Sequence, residues 1–109
     1  MKRQFIETNI FTKLWQELGL NDEDLLKLQN HLMKDPLVGD IIQGTGGARK
    51  IRFALPNKGK SGGARIIYVD VFQDKQIYLL LCYSKAKQEN LSDEQKQQLK
   101  ILIKAIKED

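Results

Sequence analysis

Arg49-Lys50-Ile51-Arg52-Phe53-Ala54-Leu55 alternates between two kinds of residue along its length. Ile51, Phe53 and Leu55 fall on one side of an extended chain, and Lys50, Arg52 and Ala54 on the other, which is the period of a half-buried strand. The apolar side must face a core, so two cations stand side by side on the far face of a sheet. Reading outward, Pro56 to Gly63 is a loop of Pro, Asn, Gly, Lys and Ser. Arg65 to Val71 is a second strand and Asp74-Lys75 a hairpin turn. Gln76 to Tyr83 is a third strand, and its near-continuous apolar run marks it as central. If Ala54 lies opposite Arg65, then Lys50, Arg52 and Arg65 share a face, whereas a slip of one residue turns Arg65 to the other side.

The flanks are helical. Residues 2–8 read as a first strand and Ile10 to Trp15 as a short helix. Phe11, Leu14, Trp15 and Leu18 recur at i, i+3, i+4 and i+7, so Trp15 belongs to the core. Gly19 stops that helix. Asn21 caps a second one, with Asp22, Glu23 and Asp24 in its first turn, where acids complement the helix dipole. Leu25, Leu28 and Leu32 form its buried stripe, and Asp35-Pro36 ends it. His31 lies beside this stripe with no partner at metal spacing, and reads as a packing or surface residue. A last helix starts at Ser92, with Gln95 three residues on as a capping box, and buries Leu99, Leu102, Ile103 and Ile106. The expected fold is one α+β domain over residues 1–109: an antiparallel twisted sheet in the order β-α-α-β-β-β-α, with the helices on one face and the other face partly open.

Charge is distributed unevenly. Eighteen bases and fourteen acids give a net charge of +4, yet the stretch from Ile41 to Val69 contains no acid. It contains Arg49, Lys50, Arg52, Lys58, Lys60 and Arg65, a local cationic field that attracts polyanions. Gly44-Thr45-Gly46-Gly47 lacks the Lys-Ser/Thr that a nucleotide-binding loop requires, so its glycines permit close backbone approach instead. Cys82 and His31 are the only residues of their kinds, which excludes an intramolecular disulfide and Cys/His zinc sites. No apolar run reaches the roughly 20 residues that span a bilayer. These features describe a cytoplasmic protein with no structural metal, no cofactor and no membrane association.

The side chains available for chemistry are cations, serines and tyrosines. A cationic cluster is enough to cleave RNA, because the ribose 2′-OH is a built-in nucleophile. The protein then supplies orientation, proton transfer and stabilisation of the phosphorane. Arginine forks match phosphate oxygens, and a lysine crowded by other cations loses its proton more readily. The same side chains are equally suited to binding phosphates without cleaving them. Lys85 and Lys87, after the central strand, are placed to enter the same concavity.

Two blocks look familiar: Gly39-Asp40-Ile41-Ile42-Gln43-Gly44-Thr45-Gly46-Gly47-Ala48-Arg49-Lys50-Ile51-Arg52 and Gly59-Lys60-Ser61-Gly62-Gly63-Ala64-Arg65-Ile66-Ile67-Tyr68. With their spacing and the order of elements, the chain resembles the RelE/HigB superfamily of type II toxins along essentially its whole length, closest to the HigB-like branch. The resemblance implies a ribosome-dependent endoribonuclease that cuts mRNA in the 30S A site, with mRNA and rRNA as its partners there, attacks through the 2′-OH without metal, and is held inactive by a cognate antitoxin, a HigA-like helix-turn-helix protein. It implies Lys50 as base or phosphate ligand, Arg52 as a second cation and Arg65 as the arginine that stabilises the transition-state phosphate. RelE-type members carry an arginine and a base-stacking tyrosine after the last strand. Here Ser84-Lys85-Ala86-Lys87-Gln88 has neither, which leaves Lys85 as the catalytic candidate. Arg49, Lys58, Lys60, Tyr83 and Lys87 are then RNA or phosphate ligands. The competing reading is a non-catalytic RNA- or ribosome-binding module on the same fold, and a third is a degenerate member that only binds its antitoxin.

Overall fold

Thr8 and Leu80 organise the join between the first strand and the first helix. In the computed structural model, which describes residues 2–55 and 63–108, strand β1 (Gln4–Glu7) ends at Thr8 and helix α1 (Asn9–Glu17) begins. Thr8 has extended backbone and caps the helix: its Oγ1 accepts from the Phe11 amide at 3.0 Å and donates to the Leu80 carbonyl at 2.8 Å. Helix α2 (Asp22–Lys34) opens on the expected cap, a reciprocal box in which Asn21 and Asp24 each accept the other's backbone N–H. A two-residue strand β2 (Asp40–Ile41) follows, then β3 (Arg49–Ala54), β4 (Gly63–Val71), a short 3-10 turn over Phe72–Asp74, β5 (Gln76–Ser84) and helix α3 (Asp93–Glu108). Ser92 and Gln95 form the expected capping box of α3.

The sheet runs in the order β1-β5-β4-β3-β2. It differs from the expectation in three respects. β1 pairs with β5 in parallel, so the sheet is mixed rather than antiparallel throughout. The strand β2 was not anticipated and pairs antiparallel with β3, Asp40 opposite Lys50. Third, α3 packs on the opposite face from α1 and α2. One core joins Phe11, Trp15, Leu28 and Leu32 of α1 and α2 to Ile51, Ile66, Tyr68, Ile77 and Leu79 of the sheet. The other joins Leu99 and Ile103 of α3 to Ile67, Val69, Val71 and Leu80. The reason lies in β4 and β5. Ile66-Ile67-Tyr68-Val69 is buried on both sides, as is Leu79-Leu80, and a doubly apolar strand needs cover on both faces. Trp15 is core, stacked on Phe11 with ring centroids 5.5 Å apart.

The β4–β5 ladder carries a bulge. Ile67 pairs with Leu81 and Tyr68 with Leu79, so Leu80 has no partner across the ladder. Its carbonyl is the one Thr8 takes up. The register that was open is now fixed: Arg52 lies opposite Arg65, and Arg65 opposite Tyr83. Directly paired residues share a face, so Lys50, Arg52, Arg65 and Tyr83 lie on the α3 side of the sheet, beyond the part of that face that α3 covers.

Candidate phosphate-binding cleft

The connection from β2 to β3 explains how that end of the sheet is held. Thr45 is fully buried. Its Oγ1 donates to the Ile42 carbonyl at 2.8 Å and accepts from the Ala48 amide at 3.0 Å, closing the turn on itself. Gly46 and Gly47 adopt positive φ of 78° and 125°, backbone that L side chains rarely enter, and Gly46 sits against Ile103 and Lys100 of α3. The glycine-rich turn therefore docks on the last helix.

The segment before β2 is clamped from the sheet. The Tyr68 hydroxyl accepts from the Gly39 amide and donates to the Pro36 carbonyl, both at 2.9 Å. Arg49 lies opposite Tyr68 in the ladder, and its Nη1 donates to the carbonyls of Leu37 at 3.1 Å and Gly39 at 2.7 Å. Gly39 is required by close approach: a Cβ there would meet the Lys50 carbonyl and the Tyr68 ring at 2.9 Å each. Burial pushes the Tyr68 phenol up, only partly offset by the Gly39 hydrogen bond and the charge of Arg49. With the 36–39 segment pinned, Val38 and Asp40 become one wall of an open cleft of about 460 Å³ whose other residues are His31, Lys50, Ile51, Arg52 and Arg65.

The cleft straddles the edge of β3. Strand β2 pairs with only Arg49 and Lys50, so among the described residues no strand lies beside β3 from Ile51 onward on that side. His31 reaches the edge from α2, on one face, and Lys50, Arg52 and Arg65 line it from the other. Three cations and one carboxylate leave the cleft positive. Among the described residues no ion pair within 4.0 Å neutralises Lys50, Arg52 or Arg65; the pairs found are Arg3–Asp70 and Lys104–Glu108. Like charges set directly opposite each other in a ladder repel, so the Arg52–Arg65 pair favours an anion between or before its guanidinium groups.

Of the residues expected to act, Lys50, Arg52 and Arg65 come together in this cleft. Tyr83 continues the row beyond Arg65 and is half-buried. Its burial raises the phenol above its ordinary value, and the charge of Arg65 partly offsets that. Arg49, expected as a phosphate ligand, is corrected: it points to the α1–α2 face and holds backbone carbonyls, because neighbours along a strand face opposite ways. Lys85 and Lys87 sit in the turn after β5 and are not among the residues lining the cleft. Lys58 and Lys60 lie outside the described residues. His31 and Asp40 were missed as cleft residues. A glycine-rich turn between two apolar runs was the available signal for Asp40, since a hairpin there puts it opposite Lys50. Nothing local marked His31.

Comparison with known proteins bears on the whole chain. The family described as "RelE toxin of RelE / RelB toxin-antitoxin system" matches residues 3–108. A free double arginine-to-alanine mutant of the E. coli RelE toxin superposes with a TM-score of 0.60 at 17% identity, covering 82% of this chain and 90% of that one. The toxin of the intact E. coli RelBE complex gives 0.56 at 16% identity, covering 73% and 93%. The archaeal RelE–RelB complex of Pyrococcus horikoshii OT3 gives 0.54 at 20% identity, covering 80% and 99%. At these identities the superpositions speak for the fold, while the family match extends from the first strand through the last helix, and on that match the chain belongs to the RelE toxin family.

Proposed function

We propose that this protein is a ribosome-dependent mRNA endoribonuclease, the toxin half of a toxin–antitoxin pair, and that the cleft at the edge of β3 binds the scissile phosphate. The observation that carries this reading is the Arg52–Arg65 pair set opposite each other beside Lys50 in a cleft open to solvent. The two guanidinium groups would hold the non-bridging phosphate oxygens as charge builds on them in the phosphorane. The ribose 2′-oxygen forms the new bond to phosphorus, the bond to the 5′-oxygen breaks, and the products are a 2′,3′-cyclic phosphate and a 5′-hydroxyl. In this reading Lys50 takes the proton from the 2′-OH or steadies the oxyanion it leaves. Tyr83, next in the row, offers its ring to a neighbouring base. The cleft volume is at the lower end of the range of small-ligand sites, suited to about one nucleotide, so the ribosome would present the mRNA and fix its path.

The partner proposed is an antitoxin encoded by a neighbouring gene, a small helix-turn-helix protein. An antitoxin partner is supported by the family match and by the RelE–RelB and RelBE complexes of similar toxins, and its helix-turn-helix type rests on the resemblance alone. Among the described residues no helix is long and apolar enough to cross a membrane.

Primer extension on an mRNA under translation tests the reading. The wild type is expected to create new 5′ ends in the coding region and to arrest growth. Arg65→Ala should lower cleavage by about 10²- to 10³-fold, the usual effect of removing one transition-state donor, with an unchanged melting temperature. Binding to ribosomes with steep salt dependence and no new 5′ ends would favour the non-catalytic module instead.

A further inference from the structure

Among the described residues lining the cleft, His31 is the one contributed by a helix. It is the only histidine in the chain, is exposed, and lies in the last turn of α2. The other polar cleft residues are Asp40 from β2, Lys50 and Arg52 from β3, and Arg65 from β4. Its charged neighbours on its own helix side are Lys27, Lys34 and Asp35, at the i−4, i+3 and i+4 positions. Lys50, Arg52 and Arg65 project from the α3 side of the sheet, whereas α2 packs on the other side. An anion bound by the cations therefore has His31 across the β3 edge from them.

An in-line displacement at phosphorus puts the entering and leaving oxygens on opposite sides of the phosphorus atom. A catalyst of such a step is served by two proton-transfer groups on opposite walls, and the cleft is built that way. Resting on the ribonuclease reading above, we infer that His31 is the general acid of the reaction. As the 2′-oxygen bonds to phosphorus and its proton passes to Lys50, the P–O5′ bond breaks and the departing 5′-oxygen takes the ring proton of protonated His31. Exchange with solvent then restores both groups. Arginine cannot do this, since it does not release its proton in proteins, and Asp40 stands beside Lys50 on the same face. An imidazole is the side chain that most often serves as general acid or base.

Two measurements decide the matter, both on the full chain. The first is single-turnover cleavage of ribosome-bound mRNA from pH 5 to 9 by the wild type and by His31→Gln, which keeps polarity and removes the titrating ring. The expected result is a rate lowered by about 10²- to 10⁴-fold, with loss of one ionisation from the rate–pH profile. Because the ring is exposed, the melting temperature should not move. The second is NMR of the single histidine ring, whose signals need no further assignment, during titration with a 2′-O-methyl dinucleotide that cannot be cleaved. The ring signals should shift in the wild type and stay in place in Arg65→Ala. Cleavage that His31→Gln leaves within about threefold of wild type with the same profile would overturn this inference alone. Ring signals that ignore the dinucleotide would overturn it too. Intact mRNA with the wild type would instead remove the ribonuclease reading, and the acid role with it.

Discussion

Arg49 and Lys50 are neighbours in the chain and have opposite assignments. In composition they are two entries in one basic stretch. On a strand they face opposite ways, so Arg49 becomes a tether for the Leu37 and Gly39 carbonyls while Lys50 enters the cleft. The alternation that separates them was legible from Ile51, Phe53 and Leu55. The fate of Arg49 was not, because its partners are carbonyls in a segment whose position depends on Tyr68, 29 residues from Gly39. His31 was illegible for the same reason. Its place at the β3 edge is set by tertiary contacts, and a helical phase says only that it flanks Leu28 and Leu32. Arg49→Met keeps the stem and removes the donors. It is expected to lower stability by about 1–3 kcal/mol, because carbonyls in a partly buried segment lose charge-assisted bonds. Urea denaturation should show this as a lower midpoint at unchanged slope.

At the scale of elements, the ends of helices α2 and α3 were the best-read features, because capping is local chemistry: Asn21 with Asp24 and Ser92 with Gln95 act within a single turn. The faces of the sheet were harder. Near-continuous apolar character in Gln76 to Tyr83 reads as a central strand, and β5 is interior to the sheet, between β1 and β4. The same logic applied to Ile66 to Val69 demands a helix on each face, and α3 meets that demand. Two-residue β2 is too short to have a period, so only its turn betrays it. The β1–α1 junction rests on one hydroxyl that both caps a helix and takes up the carbonyl of the bulge residue Leu80. Thr8→Ala removes both contacts. A loss of about 1–2 kcal/mol is expected from the cap, and hydrogen exchange should rise first at the amides of α1.

Across the whole molecule, buried acidic protons tie stability to alkaline pH. Burial, with a smaller push from Glu7, raises the Cys82 thiol from its usual value of 9.0 to about 12, and burial raises the phenols of Tyr68 and Tyr83. Below pH 9 these groups are protonated in both folded and unfolded chains and add no pH dependence. Above it the unfolded chain releases protons that the folded chain keeps, so the free energy of unfolding falls as pH rises toward 12. The urea midpoint should drop between pH 9 and pH 11, and Cys82→Ala should make that drop shallower. A buried ion pair adds to the same architecture. Arg3 and Asp70 meet at 2.8 Å with both side chains shielded, joining the start of β1 to β4 across β5.

The parallel pairing of β1 with β5 also sets when, during synthesis, this molecule can exist. Every described cleft residue has been translated by Arg65, yet β5 sits between the first strand and β4, and neither core closes without it. Contacts so distant in sequence form late. A chain stopped at Lys75 is expected to lack the cooperative melting and the amide protection of the full chain, although it holds all of His31, Asp40, Lys50, Arg52 and Arg65. A ribosome making this protein thus holds all five polar cleft side chains in hand before the strand that assembles them has been made.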